Sequence, residues 1–378
     1  MTDLASSPGS EPIWSRAAPG GRGPGDALAV MDRVVKHFAV RGPRRVGAER
    51  EFVHALDDVS IEVRRGETLG IVGESGSGKS TLARCLLGLH RVTSGRVVID
   101  GHDITALSPR RMRPLRREMQ MVFQDPYGAL NPRRRVGSII ADPLAIHTRA
   151  SRAERRRRVQ ELMDLVGLNP EHYNRFPNEF SGGQRQRIGI ARALAMRPKL
   201  VVCDEPVSAL DVSIQAQILN LLADLQGELG LTYVFIAHDL SVIRHVSDRV
   251  EVMYLGKVVE RGPVSDLYRS PRHPYTAALL AAIPVPDPDY VDQKRRVVLR
   301  GDLPSPIHPP KGCRFSSRCP RATDRCRVEE PALEPRFGDP PGHEAACHYP
   351  LTDGERLEPD GGGAAGAPAT APAGTDGR

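Results

Sequence analysis

The stretch that decides the fold of this chain is Gly73-Glu74-Ser75-Gly76-Ser77-Gly78-Lys79-Ser80. It fits the pattern G-x-x-x-x-G-K-[ST], and it lies between an apolar run over 68–72 and a helix-like run that begins at Thr81. A glycine-rich loop between a strand and a helix can point its backbone N–H groups at one spot, which creates a cradle for phosphate. The stretch predicts a phosphate-binding loop, although an ordinary glycine turn would have the same composition.

Within this loop, two side chains have distinct expected roles. Lys79 would reach the outer phosphates of a nucleotide, and Ser80 would bind Mg²⁺. The residues expected to contact the nucleotide are Gly73, Ser75, Gly76, Gly78, Lys79, Ser80 and Thr81.

Composition limits the class of protein. A chain of 378 residues with 40% hydrophobic and 26% charged residues is typical of a soluble globular protein of one large domain with an appendage, or of two domains. No apolar run approaches the ~20 residues of a membrane span, and the N-terminus lacks a hydrophobic signal region. We therefore expect a cytoplasmic chain that meets a membrane only through partners.

The basic charge has two interpretations. A net charge of +7 and several arginine clusters would suit nucleic acid, but aromatic residues make up only 4% of the chain, too few for base stacking to be favoured. Solvated arginine-rich faces explain the charge better, and we predict no nucleic-acid partner.

Strand and helix patterns predict an α/β protein. Strand-like runs near Ala29, Leu56 and Arg96 suggest a small antiparallel β layer around the strand of the phosphate loop. Helix-like patterns broken by Asn-Pro and Phe-Pro over about 127–183 suggest an inserted helical subdomain. Buried strands then alternate with helices, which predicts a parallel sheet. The Gly-, Pro- and Ala-rich ends, 1–27 and 353–378, are predicted to be disordered tails.

Two carboxylates follow a buried strand over 200–204. Because carboxyl ends of parallel strands face the ligand crevice, Asp204 is expected to bind the Mg²⁺ shared with Ser80. Glu205 would orient and deprotonate the attacking water. The alternative is a polar strand terminus without catalytic function.

Two further strand ends carry polar side chains, Gln124 and His238. His238 is expected at the same sheet edge as Asp204, where it would contact the γ-phosphate. Gln124, an amide, would contact the metal or the water without adding charge. Each residue taken alone would be an ordinary structural side chain.

A second phosphate site is suggested by Ser181-Gly182-Gly183-Gln184. Serine is a preferred N-cap, and the two glycines would expose backbone amides at the positive end of a helix. One nucleotide hardly needs both loops, so this one would serve a nucleotide bound elsewhere. An ordinary capped helix is the alternative.

Together, these motifs resemble the ATP-binding cassette. They match its Walker A, Q-loop, signature, Walker B, D-loop and H-loop elements at Gly73 to Ser80, Gln124, Phe180 to Gln184, Leu200 to Glu205, Ser208 to Asp211, and His238. The resemblance covers about residues 28–265 and implies an α/β fold with a RecA-like P-loop NTPase core, an antiparallel β subdomain and the helical insertion. It also implies a head-to-tail dimer in which the P-loop of one subunit and the signature of the other enclose ATP, with Asp211 close by. Phe38 would stack on the adenine, core packing being the alternative.

Further stretches narrow the resemblance. His273-Pro274-Tyr275-Thr276 and Leu303-Pro304-Ser305-Pro306, among others, look like ATPase subunits of bacterial dipeptide and oligopeptide importers, of the second ATPase type. This implies a peripheral protein at the cytoplasmic face of the inner membrane. Its partners would be a different ATPase subunit, two membrane-spanning permeases and an external substrate-binding protein. Nickel or glutathione importers stay open, while an exporter or a soluble protein acting on DNA or ribosomes is less favoured.

Four cysteines lie in the C-terminal extension, 266–352, with the spacing C-x5-C-x6-C-x20-C: Cys313, Cys319, Cys326 and Cys347. In a reducing cytoplasm, metal ligation is more reasonable than disulfides, but this spacing indicates neither zinc nor iron–sulfur by itself. The resemblance favours a structural [4Fe–4S] cluster. Zinc is the alternative, and unligated thiols are the simplest case.

Overall fold

The computed structural model describes residues 27–40, 50–283, 303–335, 338–355 and 357. Residues 1–26 and 358–378, which belong to the predicted tails, lie outside the described residues. The strands are β1 (Ala27–Ala39), β2 (Phe52–Arg64), β3 (Thr68–Val72), β4 (Ser94–Ile99), β5 (His102–Asp103), β6 (Met119–Val122), β7 (Leu200–Asp204), β8 (Thr232–Ala237), β9 (Arg249–Tyr254), β10 (Lys257–Pro263), β11 (Glu334–Pro335) and β12 (Glu344–Ala345).

The helices fall in two groups, before and after the Walker B strand. Those before β7 are α1 (Lys79–Leu86), α2 (Pro109–Leu115), α3 (Pro126–Ala129), α4 (Val136–His147), α5 (Arg152–Leu165) and α6 (Gly182–Leu194). Those after it are α7 (Val212–Leu229), α8 (Leu240–Val246), α9 (Val264–Arg269), α10 (Pro274–Ala281) and α11 (Asp324–Val328). No described helix has the length and apolar character needed to cross a membrane.

An antiparallel sheet has the strand order β2-β1-β4-β5. The strands predicted near Ala29, Leu56 and Arg96 form this sheet, which confirms the antiparallel layer, but the P-loop strand β3 is not part of it. All five residues of β3 are buried, and β3 instead pairs in parallel with β8 and β9. A strand buried on both faces suits the middle of a covered sheet, whereas the alternating burial of β2 suits a sheet with one open face.

The main sheet has the order β11-β12-β10-β9-β3-β8-β7-β6. Its strands β9, β3, β8, β7 and β6 are parallel, as predicted, but β10 runs antiparallel to β9. The reason is the connection: only Leu255 and Gly256 separate β9 from β10, and so short a loop allows a hairpin but no parallel crossover. β10 also pairs with β12, so residues of the C-terminal extension continue the sheet.

Helices α4, α5 and α6 pack together beside the main sheet. Their shared core includes Ile140, Val159 and Leu162, each with no exposed surface. α5 begins at a capping box in which Ser151 and Glu154 satisfy each other's backbone N–H groups. Two 3₁₀ helices, Pro170–Asn174 and Pro177–Glu179, lead from this bundle to the start of α6.

The C-terminal extension packs against the cassette through aromatic side chains. Phe315 is fully buried, with its ring 5.3 Å from that of Tyr254 and 5.4 Å from that of Tyr275 between ring centroids. Leu357, inside the predicted C-terminal tail, is buried in a small cluster with Ala278 and Leu351.

Candidate nucleotide-binding site

The phosphate loop joins β3 to α1 through glycines that no other residue replaces easily. Gly73 has φ +151° and Gly78 has φ +107°, in the region that favours glycine. A Cβ atom at Gly73 would lie 2.2 Å from the carbonyl oxygen of Met253, and one at Gly78 would lie 2.4 Å from that of Ala55. The loop is therefore wedged between the β9–β10 hairpin and β2.

Lys79 lies inside the curve of the loop. Its Nζ donates hydrogen bonds to the carbonyl oxygens of Gly73 at 2.7 Å and Glu74 at 2.9 Å. Burial lowers the pKa of Lys79, while Glu205, Asp204 and Glu74 act in the opposite direction. An ammonium group held by two carbonyls can exchange them for phosphate oxygens with little movement.

Ser80 and Asp204 meet although 124 positions separate them in the chain. The Ser80 hydroxyl donates to Oδ1 of Asp204 at 3.0 Å. Burial raises the pKa of Asp204, and the hydrogen bond from Ser80 lowers it in part. A hydroxyl and a carboxylate side by side are the oxygen ligands that Mg²⁺ prefers.

Glu205 lies between Gln124 and His238. Its Oε2 accepts a hydrogen bond from Nε2 of Gln124 at 2.9 Å and contacts Nδ1 of His238 at 3.3 Å. Glu205 also has φ +45°, which is uncommon for a residue other than glycine, and strain of this kind clusters at functional sites. The structure thus unites three residues that the sequence analysis took from three separate strand ends.

A cavity of about 660 Å³ opens beside these residues. It reaches from Asp204 and Gln124 to the helical subdomain. Its lining includes Arg84, Met121, Phe123, Gly128, Pro143 and Arg192. Phe123 is 43% exposed.

The signature residues lie at the start of α6. Ser181 and Gln184 form a capping box, with the N–H of Ser181 bonded to Oε1 of Gln184 at 3.0 Å and the N–H of Gln184 to Oγ of Ser181 at 3.4 Å. Both residues are exposed, whereas Gly183 is buried. A Cβ atom at Gly183 would lie 2.5 Å from Ile214, and one at Gly182 would lie 3.4 Å from Leu210. Close packing of α6 on α7 therefore requires a glycine at 183. Asp211 is exposed at the N-cap of α7.

Phe38 is half-buried near the end of β1. The Nζ of Lys36 lies 4.6 Å from the centre of its ring, and the His90 ring packs edge-on at 5.4 Å. The ring thus has packing partners within this chain, as the core-packing alternative requires, and its adenine contact stays a prediction.

The four late thiols, of Cys313, Cys319, Cys326 and Cys347, line one small cavity together with His273 and Phe315. Burial raises the pKa of Cys319 to about 11 and that of Cys347 to about 12, and neighbouring cysteines add to both shifts. Among the described residues, only His37, His54 and Asp57 bring three potential metal ligands within 4.8 Å of one another. Arg314 binds the same Asp57, so that group already has a cation.

Two residues that contact the P-loop were not predicted from the sequence to do so. The hydroxyl of Tyr275 accepts a hydrogen bond from the N–H of Glu74 at 2.8 Å, and Arg318 forms an ion pair with the Glu74 carboxylate at 2.7 Å. The sequence signals were present, because Tyr275 is in the His-Pro-Tyr-Thr stretch and Arg318 lies between two of the late cysteines. Neither pattern indicated a contact with the P-loop.

The fold and the site define an ABC-type ATPase, which hydrolyses ATP. A family model described as ABC transporter matches residues 56–208, and one described as oligopeptide/dipeptide transporter, C-terminal region, matches residues 259–326. The chain belongs to the ATP-binding subunits of this oligopeptide and dipeptide transporter family.

Relatives and solved structures agree with that assignment. The di/tripeptide transport ATP-binding protein DppF of Pseudomonas aeruginosa is 54% identical over 79% of this chain and 90% of its own length. The oligopeptide transport ATP-binding protein OppF of Escherichia coli is 51% identical over 85% of this chain and 95% of its own length. The dimeric ATP-binding cassette MJ0796 bound to ADP and Pi is 32% identical, with a TM-score of 0.56, over 63% of this chain and 99% of that one.

Proposed function

We propose that this chain is the ATP-hydrolysing subunit of an importer for peptides or a similar small solute. The observation that carries the proposal is the meeting of the Ser80–Asp204 pair, the Lys79 ammonium and the Glu205 carboxylate around one loop. The import function rests on the names of its relatives, which are peptide transport ATP-binding proteins.

In the proposed site, ATP would bind along residues 73–81 with its outer phosphates on Lys79. Ser80 and Asp204 would bind Mg²⁺, with Gln124 close by. Glu205 would accept a proton from the attacking water, and its contacts with Gln124 and His238 support a fixed orientation for that step. His238, 57% exposed at its side chain, would contact the γ-phosphate.

A second subunit would complete the site. The exposed start of α6 at Ser181, with its free face at the positive helix end, supports a role toward a nucleotide held by a partner. Gly183 has no side chain and is buried, so it would take part through its backbone N–H group alone. A dimeric relative bound to ADP and Pi adds support. We infer that the partner is a different ATPase subunit, that Asp211 lies near the shared face, and that Phe38 stacks on adenine once Lys36 moves aside.

Coupling to transport would use the cavity beside Gln124. It connects the catalytic edge to the helical subdomain, and its exposed Phe123 offers an apolar contact for a permease segment. The partners would be two membrane-spanning permeases and an external substrate-binding protein, and the chain would attach to the cytoplasmic face of the membrane through them.

The four late thiols would bind a [4Fe–4S] cluster with a structural role. Support comes from the meeting of the four thiols at one small cavity. Among the described residues, no three of these sulfurs lie within 4.8 Å of one another, whereas Zn–S bonds of about 2.3 Å would hold the sulfurs of a tetrahedral zinc site closer together than that. Zinc after rearrangement is the alternative. Iron and sulfide analysis and visible absorbance of anaerobically purified protein test this. Colourless, metal-free and normally folded protein contradicts it.

The experiment that tests the transport function is co-purification from detergent-solubilised membranes, combined with uptake of labelled dipeptides in cells that carry either the natural chain or Lys79→Ala. Recovery with permeases and loss of uptake in the variant are expected. Recovery with ribosomes or DNA and no permease would contradict the proposal. Uptake of nickel or glutathione instead of peptides would contradict the peptide substrate but not the import function.

A further inference from the structure

Three stretches of the C-terminal part of the chain converge on the Walker A loop. The Tyr275 hydroxyl accepts the N–H of Glu74 at 2.8 Å. Arg318 binds the Glu74 carboxylate with two hydrogen bonds, Nη1 to Oε2 at 2.7 Å and Nη2 to Oε1 at 3.2 Å. A Cβ atom built on Gly76 would lie 3.6 Å from the Leu303 side chain. ATP chemistry requires none of these three residues directly.

The Arg318–Glu74 pair has the features of an effective contact. It is bidentate, and bidentate guanidinium–carboxylate pairs fix orientation as well as charge. The Arg318 side chain is only 9% exposed and that of Glu74 only 28%, so solvent screens the pair weakly. Arg318 is also fixed from behind, because Nη1 lies 3.4 Å from the Tyr254 hydroxyl.

Glu74 in turn determines where Lys79 can lie. The Glu74 carbonyl oxygen accepts one of the two hydrogen bonds from Lys79, at 2.9 Å, and the Gly73 carbonyl oxygen accepts the other. Movement of residue 74 would therefore move the lysine that binds phosphate. An unpaired Glu74 carboxylate would also repel an incoming triphosphate.

We propose that the C-terminal extension holds the Walker A loop in its nucleotide-binding geometry, with Arg318 as the positioning residue that acts through Glu74. Arg318 directly precedes Cys319 in the chain. Phe315, which lies between Cys313 and Arg318 in the sequence, is fully buried against Tyr254 and Tyr275. The segment 313–319 is therefore a rigid support, and the ends of that support are two of the four clustered thiols. The inference rests on nucleotide binding at this loop.

Titration of the full chain with Mg²⁺ and the non-hydrolysable analogue AMP-PNP tests the proposal. Arg318→Ala should weaken binding about tenfold, as is usual for coupled sites, whereas Arg318→Lys should weaken it less because it keeps the charge. The matched control is Arg325→Ala. Arg325 also lies next to a late cysteine and forms an ion pair, with Glu329 at 2.7 Å, but its side chain is 53% exposed. The Arg325→Ala variant should bind AMP-PNP with the affinity of the natural chain.

A double-mutant cycle separates positioning from general loss of structure. In a Glu74→Gln background, Arg318→Ala should change affinity less than about twofold, because its partner charge has gone. An equal loss in both backgrounds would overturn the proposal, as would natural affinity in Arg318→Ala. If Arg318→Ala does not fold, Arg318→Lys in the two backgrounds decides in the same way.

Lys79→Ala distinguishes this inference from the nucleotide site itself. Loss of AMP-PNP binding in Lys79→Ala together with natural binding in Arg318→Ala contradicts the positioning role alone. Natural binding in Lys79→Ala would contradict the site on which the inference rests.

Discussion

Nε2 of Gln124 donates a hydrogen bond to Oε2 of Glu205 across 2.9 Å. This contact joins the end of β6 to the end of β7, at the mouth of the cavity that leads to the helical subdomain. A movement of the helical subdomain that displaced Gln124 would therefore change the surroundings of the proposed catalytic base. The relationship offers a direct physical link between the proposed permease contact and hydrolysis.

The proposed Mg²⁺ site predicts a changed metal requirement. Asp204→Asn removes the charge beside Ser80 and should raise the Mg²⁺ concentration needed for half-maximal ATP hydrolysis by about 10- to 100-fold. The control is Asp224→Asn, an exposed change on α7. A Mg²⁺ titration of the rate provides the measurement, and equal requirements for both variants would exclude Asp204 from the metal site.

The shared dimer site predicts a separation of binding from turnover. Ser181→Arg places a long cation at the exposed start of α6, the surface proposed to face a partner's nucleotide. Binding of AMP-PNP to the isolated chain should be unchanged, while ATP hydrolysis by the assembled complex should fall about 100-fold. Ser265→Arg, at an exposed position of α9, is the control. Weaker AMP-PNP binding by the isolated Ser181→Arg chain would mean that one chain holds the whole site.

Asp57 predicts a pH dependence of stability. Burial raises its pKa, but the hydrogen bond from His37 and the Arg314 guanidinium outweigh burial and lower the pKa to about 2 from 3.8. Because the folded value lies below the unfolded one, the unfolded chain binds more protons between them. The stabilisation, about 2 kcal/mol, is therefore complete above about pH 5 and is lost as the pH falls through about 2. Asp57→Asn should remove it.

The measurement is the free energy of unfolding of the natural chain and of Asp57→Asn between about pH 2 and pH 6, since the shift acts only in the lower part of that range. The difference between them should shrink as the medium becomes acidic. Asp58→Asn, an exposed neighbour, is the control. A difference that stays constant with pH would show that the carboxylate charge at 57 does not stabilise the fold.

The burial of Phe315 allows a prediction of how strongly the C-terminal extension stabilises the cassette. Phe315→Ala removes a fully buried ring between Tyr254 and Tyr275 and should lower the free energy of unfolding by about 3–5 kcal/mol. Val328→Ala, at a position that is 77% exposed in the same extension, should have almost no effect. Urea denaturation compares them, and equal midpoints would mean that the extension contributes little to stability.

Local sequence patterns were sufficient for most elements of the cassette and for the residues that meet around Glu205, but not for β10 or for the helices of the C-terminal extension. The strand over 68–72 could be predicted from its apolar run, and the loop after it from its glycine content. The meeting of Asp204, Glu205 and His238 could be predicted because the carboxyl ends of parallel strands lie at one edge of the sheet. Where the sequence analysis failed, the cause was long-range pairing. The apolar run of β3 indicates a strand that is buried on both faces, but it does not indicate which strands pair with it.

The contacts of the extension were unpredictable for the same reason. Arg318 meets Glu74 across 244 positions, next to the packing of Phe315 on Tyr254 and Tyr275. Gly183 shows a different limit: the sequence suggested a phosphate contact, but its proximity to Ile214 supplies an independent steric reason for glycine. The sequence alone does not distinguish a glycine that is required for helix packing from one that is required for ligand binding.

Replacement of Glu205 by Gln shows whether this carboxylate is the base that activates water in ATP hydrolysis. ATP hydrolysis and AMP-PNP affinity are measured in parallel for the natural chain and for Glu205→Gln. We expect the affinity to be kept, because Lys79 and the Walker A loop are untouched, and the rate to fall by about 10²-fold or more. Hydrolysis at the natural rate in Glu205→Gln would show that Glu205 is not the catalytic base.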